Sequence, residues 1–173
     1  MGHKCYKHID GVEVKAEFSK ENGLHYRYRL QITLKISPAA GKTVCVTMQN
    51  PSYAGIDEAD KSVQFMEKVV FQRNLAEFEE VQRLIVVNQF ARIQTNHFQG
   101  LADDIGARND SAIKSALNES DVIILGWGSG NPFKERKAFV LGLLQKMNGK
   151  QLFKTKMHPA RGHYDGFIQP FSI

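Results

Sequence analysis

Apolar positions change their rhythm about a quarter of the way along this chain. Up to residue 36 they alternate with polar ones, and beyond residue 42 they gather into short unbroken runs separated by helix-like spacing. Alternation with period two marks a strand with one buried face, and an unbroken run marks a strand covered on both faces of a parallel sheet. In the early part Asp10-Gly11, between Ile9 and Val12, predicts a hairpin, and Asn22-Gly23 predicts a second reversal. Val12, Val14, Ala16 and Phe18 alternate with Glu13, Lys15 and Glu17. Beyond the second reversal Tyr26, Tyr28, Leu30, Ile32, Leu34 and Ile36 are expected on one face, with His25, Arg27, Arg29, Gln31, Thr33 and Lys35 on the other. Arg27 and Arg29 read as a solvated strand face within reach of Glu13 and Glu17 across the hairpin.

After a turn at residues 38–41, the runs predict buried strands over 43–49, 84–88, 122–125 and 151–154. Helices are expected over about 58–71, where Val63, Met66, Val69 and Val70 share a face, and over about 133–147, where Phe139, Val140, Leu143 and Leu144 do. A third is capped by Asn109 or Asp110 and buries Ile113, Ala116 and Leu117. Asn148-Gly149 stops the last helix, and the tail from Thr155 onward, with Pro159, Gly162, Gly166 and Pro170, is expected to be mostly irregular. The pattern predicts a single domain over residues 1–173, with a β meander over 1–37 and an α/β core over 38–173. The fold class is α/β: a three-layer sandwich with a central, mainly parallel sheet, preceded by an N-terminal antiparallel meander.

Composition alters this picture little. A net charge of +5 over 173 residues suits a nucleotide or nucleic acid as partner without requiring one. No apolar stretch is long enough for a membrane span, and the polar N-terminus lacks a secretory core. Cys5 and Cys45 cannot build a disulfide framework. Together these features predict a cytoplasmic protein with no membrane partner, and no pattern sets an oligomeric state.

Ligands of open parallel sheets bind beyond the carboxyl ends of the strands, so the residues ending each run are the candidates for chemistry. Asn50-Pro51-Ser52 closes the first run, and Pro51 forces Asn50 into an extended conformation from which its amide can both donate and accept. An Asx turn that merely ends the strand is the alternative. Asn88 ends the second run, where a base edge or loop backbone can satisfy its amide. Gly126-Trp127-Gly128-Ser129 and the residues after it match neither a dinucleotide fingerprint nor a P-loop. Lys134 and Arg136 stand in the first turn of the helix that follows, where cations oppose the dipole unless an anion sits there. A phosphate site is the favoured reading, with Trp127 either stacking on a base or packing in the core. His158-Pro159 follows the last run. With His163 and Asp165 it fits no metal-ligand spacing, so neither metal nor cofactor is called for, and His158 reads as a partner for a leaving group. His3, His8, His25 and His97 read as surface residues.

The ordered series Arg27 to Leu30, Asn50-Pro51-Ser52-x-Ala54, the acidic segment Asp57 to Asp60, Val87 to Arg92, Arg108-Asn109-Asp110, Gly126-Trp127-Gly128 and His158-Pro159 resembles a bacterial and phage family catalogued as domain of unknown function 1643. The resemblance spans roughly residues 25 to 165. That family is in turn distantly similar to the uracil-DNA glycosylase superfamily. The resemblance implies Asn50 as the group that positions water, Asn88 as the reader of a base, and His158 as the partner of the departing base's oxyanion. Met48 stands where that superfamily carries glycine, Ala160 where it carries serine, and Arg161 near where it carries an apolar wedge. Without a wedge, removal of a base from a duplex is not implied. A nucleotide- or nucleic-acid-processing protein that cleaves an N-glycosidic bond, acting on single-stranded or modified-base substrates, is therefore the leading expectation. A non-catalytic module that binds a nucleotide or modified base is the alternative.

Overall fold

A computed structural model describes residue 4 and residues 6–36 and 40–173. Pro38 of the predicted turn, together with His3 and Cys5, lies outside the described residues. The chain is a mixed α/β fold: seven strands form one sheet, parallel in its centre, with four α-helices. The strands are β1 (Val12–Glu21), β2 (Leu24–Leu34), β3 (Lys42–Met48), β4 (Val81–Asn88), β5 (Val122–Leu125), β6 (Gln151–Thr155) and β7 (Ile168–Pro170). The helices are α1 (Lys61–Phe71), α2 (Ala102–Ile105), α3 (Asn109–Asn118) and α4 (Lys134–Leu144). Strand order is β1-β2-β4-β3-β5-β6-β7. β4, β3, β5 and β6 run parallel, and β2 joins β4 antiparallel, so the N-terminal hairpin extends the sheet rather than preceding it.

The unbroken runs became the central strands because each has a covering on both sides. Val44, Val46, Leu84, Val86 and Ile124 pack with Val63 and Met66 of α1. Cys45, Ile85, Val87 and Ile123 pack on the opposite face with Ile113 of α3 and Val140 of α4. β3 lies between β4 and β5, so the chain leaves β3 in one direction and returns past it in the other. Such a reversal opens a crevice above the carboxyl ends of the strands.

Several expectations are corrected. Asp10-Gly11 does turn the chain, with Gly11 at φ 79, but among the described residues no strand precedes it; the hairpin forms at Asn22-Gly23, where φ values of 50 and 77 supply the double left-handed turn that two-residue hairpins need. The tail is mostly irregular as expected, with β7 of three residues pairing antiparallel with β6. Ile36 is 93% exposed and lies beyond the end of β2. The alternation along β2 also breaks. Glu17 faces Arg29 and Phe18 faces Arg27, which leaves Tyr28 as an extra residue, a β-bulge. Below the bulge Leu30 and Ile32 pack toward α1; above it Tyr26 and Tyr28 pack with Ala112 of α3, on the other side of the sheet. The bulge thereby turns Arg27 toward the α1 side. Arg27 is 1% exposed, so it is not the solvated residue that the alternation predicts. Arg29 is half-buried and ion-pairs with Glu119 at the end of α3 rather than with Glu17.

Candidate functional site

A cavity of about 790 Å³ lies over the carboxyl ends of the parallel strands, within the size range of ligand pockets (~300–1,000 Å³). Its walls come from Met48 to Tyr53 after β3, Asn88 at the end of β4, Trp127 to Asn131 after β5, and the segment around His158 after β6. Tyr6, Arg27 and the first residues of α1 complete it. Asn50, Pro51, Ser52, Asn88, Trp127, Gly128, Ser129 and His158 are thus brought together. Lys134 and Arg136 are not.

Asn50 is half-buried. Its Nδ2 donates to the Gln94 carbonyl at 2.7 Å, and its Oδ1 accepts from Gln49 Nε2 at 3.2 Å. The side chain is held in one orientation, with spare acceptor capacity on Oδ1. Ser52 Oγ donates to Asp60 Oδ2, and Asp60 Oδ1 accepts from the Val63 backbone N–H at 2.8 Å, capping α1. Asp60, not a residue at 58, therefore starts this helix. It also puts a carboxylate on the cavity wall.

Asn88 is 1% exposed, and its Oδ1 accepts from Arg27 at 3.2 Å, while its Nδ2 has no protein partner. The backbone beneath it is buttressed from α3 and α4. Asn109 Nδ2 donates to the carbonyls of Asn88 and Gln89, at 3.0 and 3.1 Å, and Arg136 Nε donates to the Gln89 carbonyl at 2.8 Å. Asn109 is accordingly a buried brace, and the residue at the cap position of α3 is Arg108 rather than Asn109 or Asp110.

His158 accepts the Ala160 backbone N–H on Nδ1 at 3.2 Å. With Nδ1 used as an acceptor, the proton of the neutral ring sits on Nε2. Burial pushes the His158 pKa below its ordinary value of 6.5, opposed by the nearby Asp60 carboxylate and assisted by Arg161. Near neutral pH the ring is an uncharged donor. Gly128, at φ 81, lies against this segment: a Cβ there would come within 2.5 Å of the His158 backbone nitrogen. It lets two loops approach closely. Trp127 is half-buried, packs against the α3/α4 side of the core and also lines the cavity.

Two side chains of the predicted phosphate grip lie away from the cavity. Arg136 is buried at 8% exposure and ion-pairs with Asp110 at 2.6 Å, and Lys134 is exposed outside the cavity. The loop before α4 is instead pinned by Asn131, whose Nδ2 donates to Gln89 Oε1 at 2.8 Å. Among the described residues the cations on the cavity are Arg27, Lys61 and Arg161, none of which the sequence pattern assigned to binding a ligand. Arg136→Ala is expected to cost about 2 kcal/mol in urea unfolding, because it removes a buried charged donor to the Gln89 carbonyl, which keeps only Asn109, and the ion-pair partner of Asp110. Lys134→Ala should stay within about 0.5 kcal/mol of wild type. His163 and Asp165 are exposed and do not line the cavity. His25 and His97 are exposed as expected, but His8 is half-buried and paired with the fully buried Glu67.

Among the described residues no helix is long and apolar enough to cross a membrane. No curated protein and no solved structure matches the chain. The model of the family described as protein of unknown function (DUF1643) matches residues 27–163. That span opens on the buried cation of the cavity and closes just past the His158 segment, and over it the chain belongs to this family.

Proposed function

We propose that the protein processes nucleotides or nucleic acid by cleaving the N-glycosidic bond of a base held in this cavity. One observation carries the reading: Asn50, Asn88, Trp127 and His158, distributed over more than a hundred positions, line one ligand-sized crevice at the strand ends. In this reading the sheet and its two helical coverings form a three-layer sandwich akin to that of the uracil-DNA glycosylases.

The chemistry follows from the side chains. Asn50, oriented through Gln94, presents Oδ1 to a water directed at the anomeric carbon. An amide cannot take the proton, so the sugar must carry much of the developing positive charge, and the Asp60 carboxylate on the same wall offsets it. Asn88 and Trp127 hold the base. His158, neutral and protonated on Nε2, donates to the oxygen that gains negative charge as the base departs. Water then supplies a hydroxyl to the sugar and a proton to the base.

Incubation with single- and double-stranded oligonucleotides bearing uracil, hypoxanthine or modified pyrimidines tests this. Abasic product is expected on at least one single-stranded substrate, with Asn50→Ala slowing its formation about a hundredfold or more. No abasic product on any substrate would sink the enzymatic reading. The binding-module reading draws on one observation: both polar atoms of Asn50 already have protein partners. A ligand at a hundredfold its dissociation constant adds about 2.7 kcal/mol of stability, so a thermal-shift response with intact ligand recovered identifies the module.

A further inference from the structure

We propose that Arg27 sets the ligand selectivity of this cavity: by holding the Asn88 amide by its oxygen, it leaves the nitrogen as the group offered to the ligand. The site then takes a base presenting a carbonyl oxygen at its inner end and refuses one presenting an amino group. The inference rests on the base-binding reading above and adds to it the residue that fixes the sense of recognition.

The argument starts from the bulge in β2, which sends Arg27 to the cavity side of the sheet. Its guanidinium donates to the Ala54 carbonyl at 2.8 Å and to Asn88 Oδ1 at 3.2 Å. A guanidinium only donates, so it cannot face an NH₂ group, and the Asn88 amide is locked with oxygen toward Arg27. Left alone, an asparagine can turn its amide over and offer either sense. Here one sense is removed.

Two further observations point to a ligand oxygen. Asn88 Nδ2 and Arg27 Nε are both buried without a partner, on two residues that line the same cavity. Among the described residues Arg27 also has no carboxylate in ion-pair contact, although Asp60 lies near enough to act on it through space. Burial draws its pKa down to about 10, so it is still a cation at neutral pH. A buried cation beside unused donors complements an electron-rich oxygen, and complements it better as negative charge builds there. An amino group would set donor against donor. Arg27 is thus a positioning residue that acts through Asn88.

The test is a thermal-shift and calorimetric comparison of uridine, cytidine, inosine and adenosine 5′-monophosphates on the full chain. Wild type should favour the uridine and inosine compounds over their amino counterparts by about tenfold or more. Arg27→Met should bring each pair within about threefold, since the freed amide can rotate, and Arg27→Gln, which retains one donor, should fall between. A purely structural role would weaken all four ligands alike and leave the ratios unchanged, and that result overturns the inference. So does a wild type that binds both members of each pair equally, in which case the base-binding reading stands. A wild type that responds to none of the four removes that reading and this inference with it. Should Arg27→Met fail to fold, the wild-type ratios and Arg27→Gln still decide.

Discussion

His8→Ala is expected to cost about 3–5 kcal/mol of folding stability, measured by urea unfolding at neutral pH. Glu67 is fully buried on α1, and His8 Nδ1 pairs with its Oε1 while the Ile9 N–H donates to Oε2 at 3.1 Å. His8 Nε2 faces the Gly55 carbonyl at 2.7 Å. Both ring nitrogens thus meet oxygen acceptors, which requires a proton on each and makes the ring a cation. Desolvation lowers the His8 pKa, but the hydrogen bonds to Glu67 and Gly55 and the Glu67 charge outweigh it, and the net shift is upward from 6.5.

A histidine raised on folding contributes fully below its unfolded pKa, near 6.5, and the contribution is lost as pH climbs through the raised folded value. Wild type should therefore lose stability on the alkaline side of neutrality. Without His8 the buried carboxylate loses its cationic partner, and the variant should lack this loss on the alkaline side. A variant whose unfolding curve matches wild type at every pH would refute the account. Tyr6 sits two residues away and lines the cavity, with its carbonyl accepting from Ala59 N–H at 2.9 Å, so the same pair anchors one wall of the site.

Gly128→Ala is expected to abolish ligand response and to destabilise the fold by several kcal/mol (about 1–3 for the backbone conformation, more for the collision). Its φ of 81 disfavours any side chain, and the atoms a Cβ would strike are backbone, His158 N at 2.5 Å and Met157 C at 3.0 Å. Backbone cannot rotate away, so the His158 segment must shift. By contrast Gly130→Ala meets open space at the same loop and should leave ligand response intact. Equal behaviour of the two variants in thermal shift would remove the idea that loop contact positions His158.

The central strands were legible because unbroken apolar runs have few other uses, and the polar residues that end them mark the rim of the cavity. The misplaced residues share a physical cause. Glu67 falls on the stripe of Val63, Met66 and Val70, and Arg136 falls four residues before Val140 and eight before Leu144. A charge on a buried stripe marks a buried partner, and the partners, His8 and Asp110, come from elsewhere in the chain. The stripe could have been read; the pairing could not. Arg27 was hidden more deeply, since nothing in a six-fold alternation betrays a single extra residue in the strand. Asn109 satisfied a capping rule by type, yet the carbonyls of Asn88 and Gln89 claimed its amide.

The irregularity at Tyr28 has an implication for how such a pocket can change over time. Taking Tyr28 out of the strand would leave Arg27 opposite Phe18 and on its present side. One residue added to β1 between Glu17 and Phe18 would instead give Tyr28 a partner and exchange the two sides, carrying the guanidinium to the α3 surface and a phenol ring toward the crevice. Gain of a single codon in β1 would thus rewrite the polarity of the chamber without substituting any residue that lines it, whereas point substitutions on the hairpin's outer edge would leave it untouched.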